Sequence, residues 1–528
     1  MSQAQPVIKD DVGVIDPAIK KVRKTFDSNI TRPLAFRIKQ LKNLKDGFIA
    51  LEKDISEAVR KDLGREAFMT WFGELVIMLG EIDHTIQHLK KWMRDESLDT
   101  PMSLGPASTR IVYEPLGCVL IVGSWNFPLF TTIGPLISAI AAGNVAVIKP
   151  SELAPFSSNI IKKLIFRYLD TNAYAPVEGQ VQVAIALTSK KFDLICYTGS
   201  SEKGKLVAAS AAKNLIPCIL ELGGKSPCIV DQGCDIDYTV KKICFGRFVN
   251  FGQTCIAPDY ALVHVSKIEA FNTKLKKEVA SMWEEGKNIK DMGKVINDFH
   301  HNRLCELLRN HGGNVSIGNS NAHEDRNLQP TVILSPDRES PVMKDEIFGP
   351  ILPVYTYSNF DEVIKMINEG EKPLALYYFG SASSANYKRL EKETSSGALV
   401  SNEVLFQVAN PDFPFGGVGY SGYGRTHGFA GFKAFSNAKS VFNKQVMTMY
   451  PYNQLYPPFT PDKQRLIKTL CKYLAAPQSV FFKRFVYLVL VVLILRSARQ
   501  GRINKAYFEK VKELVLSIIS LIKTTFIK

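Results

Sequence analysis

Short apolar, β-branched runs alternate with helical stretches from Gly117 onward, and this alternation constrains the chain more than any other feature. Gly117–Val122, Val145–Lys149, Val181–Ala186, Phe192–Tyr197 and Cys218–Leu222 read as strands. Helical spacing separates several of them, at Ile133–Ala142, Ser157–Tyr168 and Lys203–Lys213. Continuous apolar strands between helices predict a parallel α/β sheet covered on both faces. The pattern restarts after Gly224 with Pro227–Val230, Ile236–Asn250 and Tyr260–Val265, which predicts a second α/β domain. Ahead of the first sheet, apolar positions recur at helical spacing through Leu34–Leu63 and Met69–Met93, and Arg110–Glu114 reads as a strand. Pro451–Pro461, rich in Pro, Tyr and Asn, reads as a linker closing the globular part.

A chain of 528 residues with 46% hydrophobic and 22% charged content can bury a large core, which excludes a disordered or collagen-like protein. Met1–Val14 is polar and has no apolar run, so a secretory leader is not expected. The nine cysteines form no CxxC pair and no metal-ligand spacing. Most of them, Cys118, Cys196 and Cys244 included, sit in apolar runs as reduced, buried thiols would. No metal is expected. The net charge is +15, and Lys483 to the end carries ten Lys/Arg against two Glu, a net +8. Aliphatic runs interleave these charges where stacking aromatics would be expected for nucleic acid, so the tail points to a membrane surface.

Cys255 differs from the other cysteines. It stands in Phe251-Gly252-Gln253-Thr254-Cys255, a small polar loop suited to a nucleophile that must admit a substrate carbon. Glu221 ends the apolar run Cys218-Ile219-Leu220, where a carboxylate is costly unless it pairs, for example with Lys225, or faces a cleft. Strand ends of open α/β sheets are where ligands bind. Asn126, in Gly123-Ser124-Trp125-Asn126-Phe127-Pro128, follows a buried strand at a turn into a helix. Lys149-Pro150-Ser151-Glu152 also follows a strand, and Glu152 can accept a hydrogen bond from a ribose 2′-OH. In Thr198-Gly199-Ser200-Ser201-Glu202-Lys203-Gly204, the glycines and a helix start can present backbone N–H groups to a pyrophosphate.

Glu221-Leu222-Gly223-Gly224-Lys225-Ser226-Pro227 followed by Phe251–Cys255 closely resembles the aldehyde dehydrogenase superfamily. Ile256-Ala257-Pro258-Asp259-Tyr260 resembles its class 3 branch, which includes the membrane-bound fatty aldehyde dehydrogenases. The resemblance runs from about Thr25 to about Tyr450, with the motifs in family order. It implies a Rossmann-type NAD-binding domain over 1–222, with a β-arm near 105–115, and a catalytic domain over 223–409. A return segment and oligomerisation strand would follow over 410–450, then a linker, a candidate gatekeeper helix and a membrane anchor over 451–528.

The same resemblance implies roles. Cys255 attacks the aldehyde carbonyl, Asn126 donates its amide to the oxyanion, and Glu221 activates water against the thioester. Lys149 reaches the adenosine ribose. Glu346 and Phe348, in Glu346-Ile347-Phe348-Gly349-Pro350, meet the nicotinamide ribose and ring. Asn402 and Pro414–Gly419 frame the active-site floor, and His427-Gly428 fits a class 3 pattern without a catalytic role. Gln407 departs from the histidine found in many class 3 relatives. A homodimer is implied. The cofactor is expected to be NAD, since Glu152 would repel a 2′-phosphate, with NADP as the alternative.

In the tail, Asp462–Ala475 has one apolar helical face, the candidate gatekeeper. Phe485–Leu495 is eleven apolar or aromatic residues, about half of a ~30 Å hydrocarbon core at 1.5 Å per residue. Tyr507–Ile527 fits an in-plane amphipathic helix. The expected protein oxidises medium- and long-chain aldehydes on a cytosol-facing intracellular membrane: endoplasmic reticulum, lipid droplet or mitochondrial outer membrane. The alternatives are an acylating or reductase-type relative with a non-water acceptor, and an inactive membrane-surface scaffold.

Overall fold

Strand Cys118–Val122 pairs in parallel with Val145–Lys149 on one side and with Leu194–Thr198 on the other, and this fork organises the first sheet. The computed structural model describes residues 6–101, 104, 107–283, 292–318, 326–446 and 452–474. The first sheet has six strands, in the order Gly422–Tyr423, Cys218–Glu221, Leu194–Thr198, Cys118–Val122, Val145–Lys149, Tyr174–Pro176. All neighbours are parallel except the short Gly422–Tyr423 pairing. Every residue of Cys118–Val122 and Val145–Lys149 is buried, as continuous apolar runs between two helical layers require.

The second sheet has seven strands, in the order Asn314–Ile317, Thr331–Leu334, Ile351–Tyr357, Tyr260–His264, Pro227–Val230, Ala375–Phe379, Ala398–Ser401. Only the Asn314–Ile317 edge is antiparallel. Cys228 and Val230 enter one apolar core and Ile229 another, the period-2 alternation of a sheet packed on both faces. Both sheets belong to one compact unit, made of the described residues of Met1–Met93 and Tyr113–Asn437. The α/β architecture is therefore the expected one.

A second unit takes the described residues of Arg94–Val112 and Ala438–Lys528. Glu96–Leu98 pairs antiparallel with Ala107–Pro115, which is the middle strand of a three-stranded sheet with Ser436–Lys444. Helix Pro461–Leu474 covers most of the expected gatekeeper segment. No helix among the described residues is long and apolar enough to cross a membrane. Phe485–Leu495 and Tyr507–Ile527 lie outside the described residues.

Two sequence readings change. Val181–Ala186 is no strand; Val181–Ser189 is a helix. Its start is capped from far away: the Asp10 carboxylate accepts from the N–H groups of Gln180, Gln182 and Val183. Val183 and Leu187 are buried one helical turn apart, whereas Val181 and Ile185 stay exposed and give the run its strand-like look. Met69–Met93 is helical but interrupted. Ala67–Thr70 passes through one π-helical turn, Trp71–Leu75, into Val76–Trp92.

Candidate active site

The six-stranded sheet reverses its winding at Cys118–Val122: later strands run outward on one side through Val145–Lys149 and on the other through Leu194–Thr198. The crevice at the carboxyl ends of such a switch is the binding site of open α/β sheets. The residues expected from the sequence gather along that edge. Gly123–Asn126 follows the first strand, Lys149–Glu152 the second and Thr198–Ser200 the third, and Glu221 ends the fourth.

Cys255 comes from the other sheet, on the chain entering Tyr260–His264. Helix Ile236–Phe248 ends in a short turn where Asn250 and Phe251 have φ of 54° and 56° and Gly252 has 70°. Left-handed backbone at two consecutive non-glycine residues persists only when the surroundings impose it. At Gly252 a side chain would run into the Gly349 carbonyl. Gln253 does much of the holding: its amide donates to the Asn250 carbonyl at 3.0 Å and the Lys294 carbonyl at 2.9 Å, and accepts from the Ile296 N–H at 3.0 Å. The loop is tied to the asparagine turn in both directions. Asn126 Nδ2 donates to the Gln253 carbonyl at 3.1 Å, and Asn250 Nδ2 donates to the Asn126 carbonyl at 3.1 Å.

Cys255, Asn126 and Glu221 line one cavity, whose remaining wall is largely apolar and includes Phe72, Ile77, Phe130, Phe245, Phe406 and Val408. Burial pushes the Cys255 thiol up, and the nearby carboxylates of Glu346 and Glu221 add to the shift. Glu221 is only 5% exposed, and neither of its oxygens has a well-formed hydrogen bond to the protein. Burial lifts it well above the usual carboxylate range, and the Arg425 charge and the Thr426 side chain pull it back only in part. Lys225 is no partner for it. That ammonium pairs with Asp259, which also holds Arg247 at 3.0 Å.

The remaining predicted residues surround this centre. Lys149 Nζ meets Glu152 at 2.6 Å. Thr198 is part of the cavity wall. The Gly199 N–H donates to the Glu221 carbonyl at 3.1 Å, and Ser200 caps helix Ser201–Ala212. Gly204 lets that helix approach Leu222. Glu346 lies against Gly223, where any Cβ would overlap its carboxylate. Burial, with Asp259 adding to it, pushes Glu346 up to about 8. Phe348, at φ 48°, packs edge-on against Trp125 with ring centroids 5.3 Å apart. Asn402 clasps the Gly380 backbone with both ends of its amide. Gln407 donates to the Tyr377 hydroxyl at 3.1 Å. His427 lines the cavity, stacked on Phe415, and burial holds its pKa down at about 4.

Sequence reasoning missed Arg65, Glu74, Gln253 and Thr426. Glu74 carried a signal, a lone carboxylate in the apolar run Trp71–Leu79, which burial makes costly without a partner. Gln253 and Arg65 carried none, because the Lys294 and Ile296 backbone that Gln253 holds and the Asn126 carbonyl that Arg65 reaches are distant in the chain.

The aldehyde dehydrogenase family model matches residues 7–441. The chain is 40% identical over 445 residues to the dimeric NADP-preferring aldehyde dehydrogenase of Rattus norvegicus, covering 84% of this chain and 98% of that protein. It is 41% identical over 448 residues to aldehyde dehydrogenase family 3 member A2 of Pongo abelii, covering 84% and 91%. Among solved structures, the substrate-bound state of Staphylococcus aureus AldH matches with a TM-score of 0.81 at 38% identity, over 86% of this chain and 99% of that one.

Proposed function

The chain belongs to the aldehyde dehydrogenase family, and from that premise we propose that it oxidises long-chain fatty aldehydes to fatty acids with a nicotinamide dinucleotide as oxidant. The observation that carries the reading is an apolar cavity lined by Cys255, Asn126 and a Glu221 whose oxygens have no well-formed hydrogen bond to the protein. Its aliphatic and aromatic wall suits an alkyl chain, and the three polar groups suit the carbonyl end.

Cys255 gives its proton to solvent water as its sulfur bonds to the aldehyde carbon. The carbonyl oxygen becomes an oxyanion. Asn126 uses one N–H on the Gln253 carbonyl, and its second N–H is free to stabilise that charge. A bound nicotinamide would supply the hydride acceptor, and loss of hydride from the substrate carbon would leave a thioester on Cys255. Glu221 then takes a proton from water as the water oxygen attacks the thioester. The carbon–sulfur bond breaks, the acid leaves, and the proton that Glu221 took from water passes to the departing thiolate, which restores the thiol and the carboxylate. Glu221 must be ionised for this step, so its upward shift makes hydrolysis quicken as pH rises. An uncommitted carboxylate at the thioester favours water over another acceptor.

The residues present suit a dinucleotide. A side chain at Gly199 would meet the Tyr197 hydroxyl and one at Gly223 would meet Glu346, so both positions are confined to glycine. Helix Ser201–Ala212 starts at the same edge and can face a pyrophosphate. Lys149, Glu152, Thr198, Gly199, Ser200, Gly204, Glu346 and Phe348 would hold the cofactor. The Lys149–Glu152 pair sets the choice between NAD and NADP. The carboxylate disfavours a 2′-phosphate and the ammonium offsets it, which is compatible with a relative named NADP-preferring.

The assembly would be a homodimer, as the same relative is named dimeric. Lys483–Lys528, with its net charge of +8, would anchor the enzyme on a cytosol-facing intracellular membrane, where its substrates partition. NADH formation with hexadecanal and with hexanal tests the activity. Turnover of both is expected, with the higher kcat/KM for hexadecanal. Absence of turnover with any aldehyde under either cofactor would refute the reading.

A further inference from the structure

Arg65 and Glu74 form an ion pair in the interior, 1% and 0% exposed, and the chemistry above does not use it. Taking two charges out of water is expensive, and a well-packed apolar pair would often serve stability as well. The pair's remaining contacts indicate another purpose. The second oxygen of Glu74 accepts from the N–H groups of Leu129 at 2.8 Å and Phe130 at 3.0 Å. These belong to the first turn of helix Pro128–Ala142, whose own N-cap, Phe127, supplies no side-chain bond. A carboxylate brought from the π-helical turn Trp71–Leu75 therefore caps this helix, where the helix dipole favours a negative charge. Arg65 grips the residues just before the helix. Its Nη1 donates to the Asn126 carbonyl at 3.4 Å, and its guanidinium lies over the Phe127 ring, 4.8 Å from the centroid.

We propose that the Arg65–Glu74 pair is a positioning unit for the oxyanion donor, fixing the Asn126–Pro128 turn so that the free amide N–H of Asn126 points at the carbonyl oxygen being reduced in bond order. This deepens the reading of Asn126 given above and rests on it. Glu74 fixes where the helix begins, and Arg65 fixes the backbone of the donor residue itself. The Asn250 amide approaches the same carbonyl from the nucleophile loop, so donor and nucleophile are set from two sides. A preorganised donor is effective only while its direction is fixed, and small misplacements of catalytic groups cost large factors in rate.

The test is a double-mutant cycle of Arg65→Lys with Asn126→Ala, reading single-turnover NADH formation with enzyme in excess over aldehyde. Melting temperature and the aldehyde KM are measured alongside. Lysine keeps the charge opposite Glu74 but lacks the planar fork that also reaches Asn126. Arg65→Lys is expected to slow single turnover about tenfold with KM little changed, and to cost less than about twofold once Asn126 is already alanine. Equal slowing in both backgrounds, or no slowing in the first, would overturn the proposal. A change in KM alone would make Arg65 a substrate contact instead, which also overturns it. If Asn126→Ala alone leaves single turnover unchanged, the oxyanion role itself fails and the proposal falls with it. Should Arg65→Lys not accumulate as folded protein, Glu74→Gln runs in the same cycle with the same expectation. If neither variant folds, the pair is a strut only and the proposal is wrong.

Discussion

The two sheets of the larger unit meet the cavity with opposite edges. The six-stranded sheet offers carboxyl ends, from which Asn126, Thr198 and Glu221 emerge directly after regular strands. The seven-stranded sheet offers the loop that enters Tyr260–His264, with Cys255 held by left-handed backbone at Asn250 and Phe251 and by the three side-chain bonds of Gln253. The first edge carries both a held donor, Asn126, whose amide donates to the Gln253 carbonyl and accepts from Ser124, and a carboxylate, Glu221, without a well-formed hydrogen bond to the protein; the other edge presents a nucleophile whose backbone is tightly fixed. The contrast teaches that a group which must take a proton is left uncommitted, whereas one which must form a bond to carbon is fixed in place.

The largest effect should come from removing the bond-forming atom. Cys255→Ala is expected to abolish aldehyde oxidation while leaving the melting temperature and dinucleotide binding near wild type, measured by calorimetry and fluorescence titration. Near-normal turnover in that variant, with loss in Cys244→Ala, would break the assignment of the two edges. Next comes the donor. Asn126→Ala should lower kcat by roughly 10²- to 10³-fold, the usual scale for one oxyanion donor, with little change in thermal stability.

Glu221 and Asn126 stand out in the sequence because strand-then-turn chemistry is local: an apolar run ending in Glu221, or in Trp125-Asn126-Phe127-Pro128, carries its own punctuation. The parallel sheets were legible for the same reason. Helix Val181–Ser189 was not, because its N-terminal cap, Asp10, lies far away in the chain. Gln253 and Arg65 were opaque likewise, since Gln253 closes on the Lys294 and Ile296 backbone and Arg65 reaches the Asn126 carbonyl, groups brought in by the fold.

Gln253 therefore separates the two edges. Gln253→Ala removes the side-chain acceptor of the buried Ile296 N–H and the two bonds that the amide donates to the Asn250 and Lys294 carbonyls, and a buried N–H left unbonded costs about 1–3 kcal/mol. Differential scanning calorimetry should record a lower melting temperature, by roughly 1 °C per kcal/mol in a chain of this size, along with slower turnover. An unchanged melting temperature would show that the nucleophile loop is not held in this way. The smallest effect belongs to the cofactor end. Glu152→Gln removes the carboxylate paired with Lys149, and the ratio of kcat/KM for NADP to that for NAD should rise by roughly tenfold, as the loss of one like-charge repulsion implies. A ratio that stays fixed would move the choice of cofactor away from this pair.

The division of labour between the edges is tested most directly by Glu221→Gln mixed with hexadecanal and NAD. The expected result is a burst of about one NADH per active site followed by slow turnover, because the thioester forms on Cys255 but water is no longer activated. Mass spectrometry should then find the hexadecanoyl group on the peptide that contains Cys255. Loss of the burst in a folded variant that still binds NAD, or an acyl group on any other residue, would contradict the account.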